Sequence, residues 1–169
     1  NITHGKLARG LVDTSIRYEG SQCIVTIGNL YPGAEVVFDL AQKNVGSIPV
    51  KWDNATIEFD DPDGVKDYLL AQAFYVADTN GGTIFDGGLK AGMIQDWGPI
   101  TKLASSMNST FSNLVLDPKG WLTFEDENAP ENGDEPSCIR IKMDKDAPNE
   151  MMGKEITFTI DMNWKQFNK

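Results

Sequence analysis

Ile156-Thr157-Phe158-Thr159-Ile160-Asp161-Met162-Asn163-Trp164 decides the fold class. Apolar and polar residues alternate without a break, so one face of an extended chain meets a core and the other meets water. Just upstream, Ile139-Arg140-Ile141-Lys142-Met143 alternates in the same way. The two segments are expected to pair around the connection 145–153.

Towards the N-terminus the same period recurs in short pieces separated by turn chemistry. Leu11 to Tyr18 and Gln22 to Ile27 flank Glu19-Gly20-Ser21, a hairpin signal. In the turn Asn29-Leu30-Tyr31-Pro32-Gly33, Pro32 fixes one backbone angle and Gly33 supplies a positive φ. Val36 to Leu40, Thr56 to Phe59, Phe74 to Ala77 and Trp121 to Phe124 read as strands, and Ile48 to Trp52 as an extended edge or bulge containing Pro49. Helices are expected over Val65 to about Ala71, behind Pro62, and over Pro99 to Met107, where Ile100, Leu103 and Ala104 share a side. The Gly-rich residues 87–98 read as loop, and 125–135, with six acids, as a solvated loop. Short strands punctuated by turns, with two inserted helices, make a mainly β chain of the sandwich type.

At 169 residues the chain suits one domain with a core of its own. Its net charge of −10, from 15 bases and 25 acids, repels phosphate backbones and argues against nucleic acid as a partner. The first twelve residues carry Lys6 and Arg9 and no acid, which leaves −12 for the remainder: a cationic arm leads an anionic body. No apolar run approaches the roughly 18 residues of a membrane-spanning helix, so no membrane is expected for the mature chain.

The catalytic inventory is thin. His4 is the one histidine, and it lies in the leading arm, so neither a zinc set nor a Ser/His/Asp set can be assembled around it. No enzyme activity and no cofactor are expected. Asp60, Asp61 and Asp63 cluster at the Gly64 turn, where hard oxygen ligands could hold calcium, but Pro62 interrupts the EF-hand spacing and a solvated turn explains the cluster equally. Cys23 and Cys138 fit one disulfide closing a long loop; two buried thiols are the alternative. Asn1-Ile2-Thr3, Asn54-Ala55-Thr56 and Asn108-Ser109-Thr110 match the glycosylation acceptor pattern, with Asn54 and Asn108 the candidates against plain surface asparagines. These triplets and a start at Asn1 favour an extracellular protein exported with a cleaved signal peptide.

Two segments carry a family resemblance. Asn29-Leu30-Tyr31-Pro32-Gly33-Ala34-Glu35, followed by Lys43-Asn44-Val45-Gly46-Ser47-Ile48-Pro49-Val50-Lys51, resembles the paired signature of the TasA/camelysin family, an "NLxPGD" turn and an "N-x-G-S-x-P-V-K" segment. Here Ala34 intervenes before the acid that commonly follows the glycine. Asn149-Glu150-Met151-Met152-Gly153 and the strand ending at Trp164 resemble the family's last turn and strand. The resemblance implies a jelly-roll-like β-sandwich, residues 11–169, behind an extended N-terminal arm, residues 1–10. It implies a subunit of biofilm matrix fibres or archaeal bundling pili, with identical subunits as partners and lateral bundling left open. The arm of one subunit would complete the sheet of the next: Asn1, Ile2, Thr3, His4, Gly5, Lys6, Leu7, Ala8 and Arg9 form the donor strand and Gly10 the hinge.

The residues lend this some support of their own, since the arm's charge opposes the body's. Ile2, Leu7 and Ala8 do not alternate, so the register of the arm stays open, and a frayed terminus is the plain alternative. The metal-dependent protease activity linked to camelysin-like members finds no ligand set here. The competing function is a monomeric calcium- or glycan-binding surface module. Trp97 and Trp121 are its candidate sugar platforms, whereas Trp52 and Trp164 fall in strand patterns and read as core.

Overall fold

The computed structural model describes residues 2–10, 13–81, 88–124 and 139–168. In chain order its strands are β1 (Ile2–Gly10), β2 (Asp13–Glu19), β3 (Gln22–Gly28), β4 (Glu35–Asn44), β5 (Val50–Asp60), β6 (Leu69–Asp78), β7 (Leu89–Pro99), β8 (Val115–Leu116), β9 (Trp121–Thr123), β10 (Ile139–Met143) and β11 (Ile156–Gln166), with helix α1 (Leu103–Phe111) after β7. They form two antiparallel sheets. The first is ordered β1-β4-β10-β6-β7, with β9 also between β4 and β6; the second is β2-β3-β11-β5-β8. From β3 to β6 the chain changes sheet at every strand, the path of the jelly-roll-like β-sandwich expected from sequence.

Alternation decides which residues fill the space between the sheets. Val36, Phe38 and Leu40 of β4 and Ile139, Ile141 and Met143 of β10 face Cys23, Val25 and Ile27 of β3 and Ile156, Phe158, Ile160 and Met162 of β11, all buried. The β2–β3 hairpin forms as read, with Glu19 opposite Gln22 and Gly20 at φ 60°. In β5 the register slips between Asn163 and Trp164 of β11, leaving Asp53 as an extra residue. Trp52 thereby turns into the core, where its ring meets Trp164 edge-on at 5.2 Å. The bulge at Asp53 is not the one expected from Pro49 within Ile48 to Trp52, since Pro49 stands just before the strand.

Three expectations fail. Segments 139–143 and 156–164 do not pair: β10 lies between β4 and β6, and β11 lies between β3 and β5 in the opposite sheet. Alternation fixes which face is buried but not which strand is the neighbour. The helix expected over 65–71 is a single 3-10 turn, Val65–Tyr68. Both carboxylate oxygens of Asp61 cap it, accepting from the amides of Val65 and Lys66 at 2.8 Å each. From Leu69 the alternation Leu69, Ala71, Ala73 takes over and makes β6. Within residues 87–98, read as loop, Leu89 begins strand β7, which runs on to Pro99. Its glycines serve packing: a Cβ on Gly92 would sit 3.3 Å from the Tyr75 ring, and the ladder to β6 is interrupted by register shifts.

The second helix is present and longer than expected, a 3-10 turn over Ile100–Lys102 running into α1. Leu103, Met107 and Phe111, one turn apart, are its buried stripe. Phe111 meets Trp52 and Tyr75, each at 5.0 Å, so α1 closes the open side of the sandwich between β5 and β7. The acid-rich stretch 125–135 lies outside the described residues.

Candidate assembly edge

The sequence-derived donor segment is strand β1, and it pairs within its own chain. Ile2 stands opposite Asn44, Leu7 opposite Asp39 and Gly10 opposite Val36, an unbroken antiparallel ladder along almost all of β4. The other side of β4 is occupied by β10 over 35–38 and by β9 over 41–43. β1 is therefore the edge strand of the first sheet and touches one ladder only. Beyond Gly10 only residues 11 and 12 separate it from β2, which belongs to the other sheet. Without β1, the amides and carbonyls of β4 that face it would lose their partners and present a bare strand edge.

Strand β4 is held firmly from beneath. Its buried polar residues are each tied into the frame: the Gln42 side-chain oxygen accepts from Trp164 Nε1 at 3.0 Å. Asn44 Nδ2 donates to the carbonyls of Ile48 and Leu116 at 2.9 and 3.0 Å, and Asn44 Oδ1 accepts from the Gly46 amide at 3.0 Å. The "N-x-G-S" segment recognised in sequence is thus the turn that anchors the far end of β4. At the near end, the Asn29–Gly33 turn is clamped by the Leu30 amide on the Lys154 carbonyl and the Gly33 amide on the Met143 carbonyl, at 3.2 and 3.0 Å.

The remaining sequence candidates do not converge on a site. Asp61 is used as the turn cap described above and lies 3.9 Å from Lys66 Nζ, while Asp63 lies 3.9 Å from Lys154 Nζ. Among the described residues, no group of three His, Cys, Asp or Glu side chains is placed to hold a metal. Asn54 and Thr56 are exposed together on the outer face of β5, an accessible acceptor triplet. Asn108 is engaged instead: its Oδ1 accepts from Trp52 Nε1 and the Ala55 amide, and its Nδ2 donates to the Ala55 carbonyl. Cys23 is fully buried beside Tyr18, opposite it on β2; Cys138 lies outside the described residues, as do Asn1 and the side chains of 2–10. Burial first, then the Cys23 neighbour and the charge of Asp39, push the Tyr18 hydroxyl far above its ordinary range.

Trp52 belongs to the core, as its strand pattern indicated, and Trp164, read as core, is partly buried and packs against it. Trp97 is half-buried on the outer face of the first sheet, with Lys142 Nζ 3.9 Å from its ring centroid. Beside it, the carboxylate of Asp96 accepts from Gln72, which holds its pKa below the ordinary value. Sequence reading missed the Asn108 lock, whose one local signal is its place three residues before the buried Phe111 on α1. It also missed a groove at one end of the sandwich, of about 390 Å³, lined by Ile48, Pro49, Gln166, Phe167 and Asn168. Compared with known proteins, the chain matches no family model and no curated sequence.

Proposed function

We propose that the chain is the structural subunit of an extracellular filament, polymerising head to tail by exchange of β1. In the assembled state β1 leaves its own β4, and the β1 of a neighbouring copy takes its place. The observation that carries this reading is that a whole edge strand hangs on the rest of the chain through Gly10 and two residues, and bonds to β4 alone. An edge strand can depart without breaking any other pair, and strand addition restores the bonds it leaves behind. A contact of this kind is heterologous and propagates when its rotation does not close. The charges favour it: the arm's Lys6 and Arg9 approach a body of −12.

Exchange of β1 gains little in energy, because one ladder to β4 is lost and another of similar length is gained, whichever direction the incoming strand runs. The intrachain arm also enjoys an effective concentration on the order of millimolar. Polymerisation therefore needs high local concentration or a further contact between bodies. The intrachain ladder equally favours a second reading, a self-complete monomeric binding module with half-buried Trp97 on its outer face. Deleting residues 1–9 separates them. In either reading the truncated chain has a bare β4 edge that binds a synthetic peptide of residues 1–10, but only a filament subunit loses polymerisation. A monomeric module is unchanged in size and was dispersed beforehand.

A further inference from the structure

Among the described residues, Ile48, Val45 and Phe167 at one end of the sandwich and Met152 and Tyr31 at the other are large apolar side chains left in water; Leu89 and Met93 are exposed as well, on edge strand β7. At the end where β4 finishes and β5 begins, Ile48 is 47% and Phe167 57% exposed, and they flank the 390 Å³ groove. At the other end, where β11 begins, Met152 is 58% exposed on the turn closed by Gly153 at φ 81°, with Tyr31 exposed nearby on the Asn29–Gly33 turn. The first end carries the groove, and the second presents a flexible thioether on a turn beside a polar cleft of about 310 Å³ bordered by Asn29, Gly153 and Glu155.

Charge separates along the same axis. Segments 43–51 and 165–168, which frame the groove, hold Lys43, Lys51 and Lys165 and no acid; Lys165 lies 3.7 Å from Asp53. Segments 60–68 and 144–155, at the opposite end, hold eight acids against three lysines. Within one copy these ends are separated by the full length of the strands and cannot meet.

We propose that the groove end of one copy binds the Met152 end of another, Met152 entering between Ile48 and Phe167 while the lysine rim faces the acidic turns. Apolar anchors surrounded by opposite charge are the arrangement of a specific contact. Because the two ends differ, the contact is heterologous and builds stacks rather than a closed pair. This rests on the filament reading in one respect: it supplies the body-to-body contact that near-neutral strand exchange needs.

The test uses the full chain carrying Phe167→benzoylphenylalanine, irradiated over a range of protein concentrations at low and high salt. Crosslinks between copies should join position 167 to residues 149–155, increase with concentration and decrease with salt. Met152→Glu should abolish them and weaken self-association by about thirtyfold, whereas Met152→Leu preserves both. Met152 is exposed, so thermal melts of the two variants should match the parent. Crosslinks elsewhere, or none, overturn the proposal. If filaments form without the 167-to-152 crosslink, the end contact is wrong and strand exchange stands. If the crosslink forms in short stacks without filaments, the end contact holds and strand exchange falls.

Discussion

Asn108 uses both ends of its amide to join α1 to β5, satisfying the Trp52 indole and the backbone of Ala55 at once. Asn108→Ala leaves these part-buried groups without partners and should cost roughly 2–4 kcal/mol in denaturant unfolding. Asn108→Asp keeps the acceptor but turns an oxygen towards the Ala55 carbonyl and should lose at least as much; near-zero losses for both variants would mean that these hydrogen bonds do not hold α1 to β5. At Tyr18 the neutral hydroxyl is favoured in the fold by burial, so its folded pKa lies above the unfolded value of about 10. Its stabilising contribution is present below pH ~10 and is lost as pH rises beyond it, because the unfolded chain ionises first. Urea midpoints between pH 8 and 11 should fall less steeply for Tyr18→Phe than for the parent. An identical slope would remove Tyr18 as the source.

At the scale of elements, the β1–β4 ladder is the piece whose removal should change assembly rather than core stability. Deleting residues 1–9 exposes one strand edge while leaving the sheet-to-sheet core of β3, β4, β10 and β11 in place. Size-exclusion and light scattering should then report single copies that regain β1 from an added peptide. Much of this architecture was legible. Strict alternation at 156–164 and 22–27 marked strands with one buried face, and Gly20 marked the hairpin. What alternation cannot encode is partnership: β10 and β11 alternate alike, yet the segment 144–155 carries the chain from one sheet to the other. At Val65 and Leu69 a four-residue spacing satisfied both periods, and cap and strand were separated only by how Asp61 is used. Glycine at 88, 92 and 98 masked β7, since its role there is to admit a ring and a bulged ladder. The arm was legible as a segment, but nothing in its composition announced that it would lie on its own β4.

On the scale of the molecule, direction becomes the informative quantity. β1 runs antiparallel to β4, so its Gly10 end lies at the acidic end of the sandwich, beside Val36. Exchange in that same direction would bring two acidic ends together. Stacking the acidic end of one copy on the lysine-rimmed end of the next instead delivers the arm to the Asn44 end of β4, and it would enter parallel to that strand. A filament map should therefore show a parallel donor strand, and raised salt should weaken end stacking. The central claim, polymerisation through β1, is tested most directly by electron microscopy of the native chain beside the chain lacking residues 1–9. The account predicts regular filaments of the native chain and dispersed particles of the truncated one. Dispersed native particles across pH and salt, or filaments that persist after truncation, would contradict it.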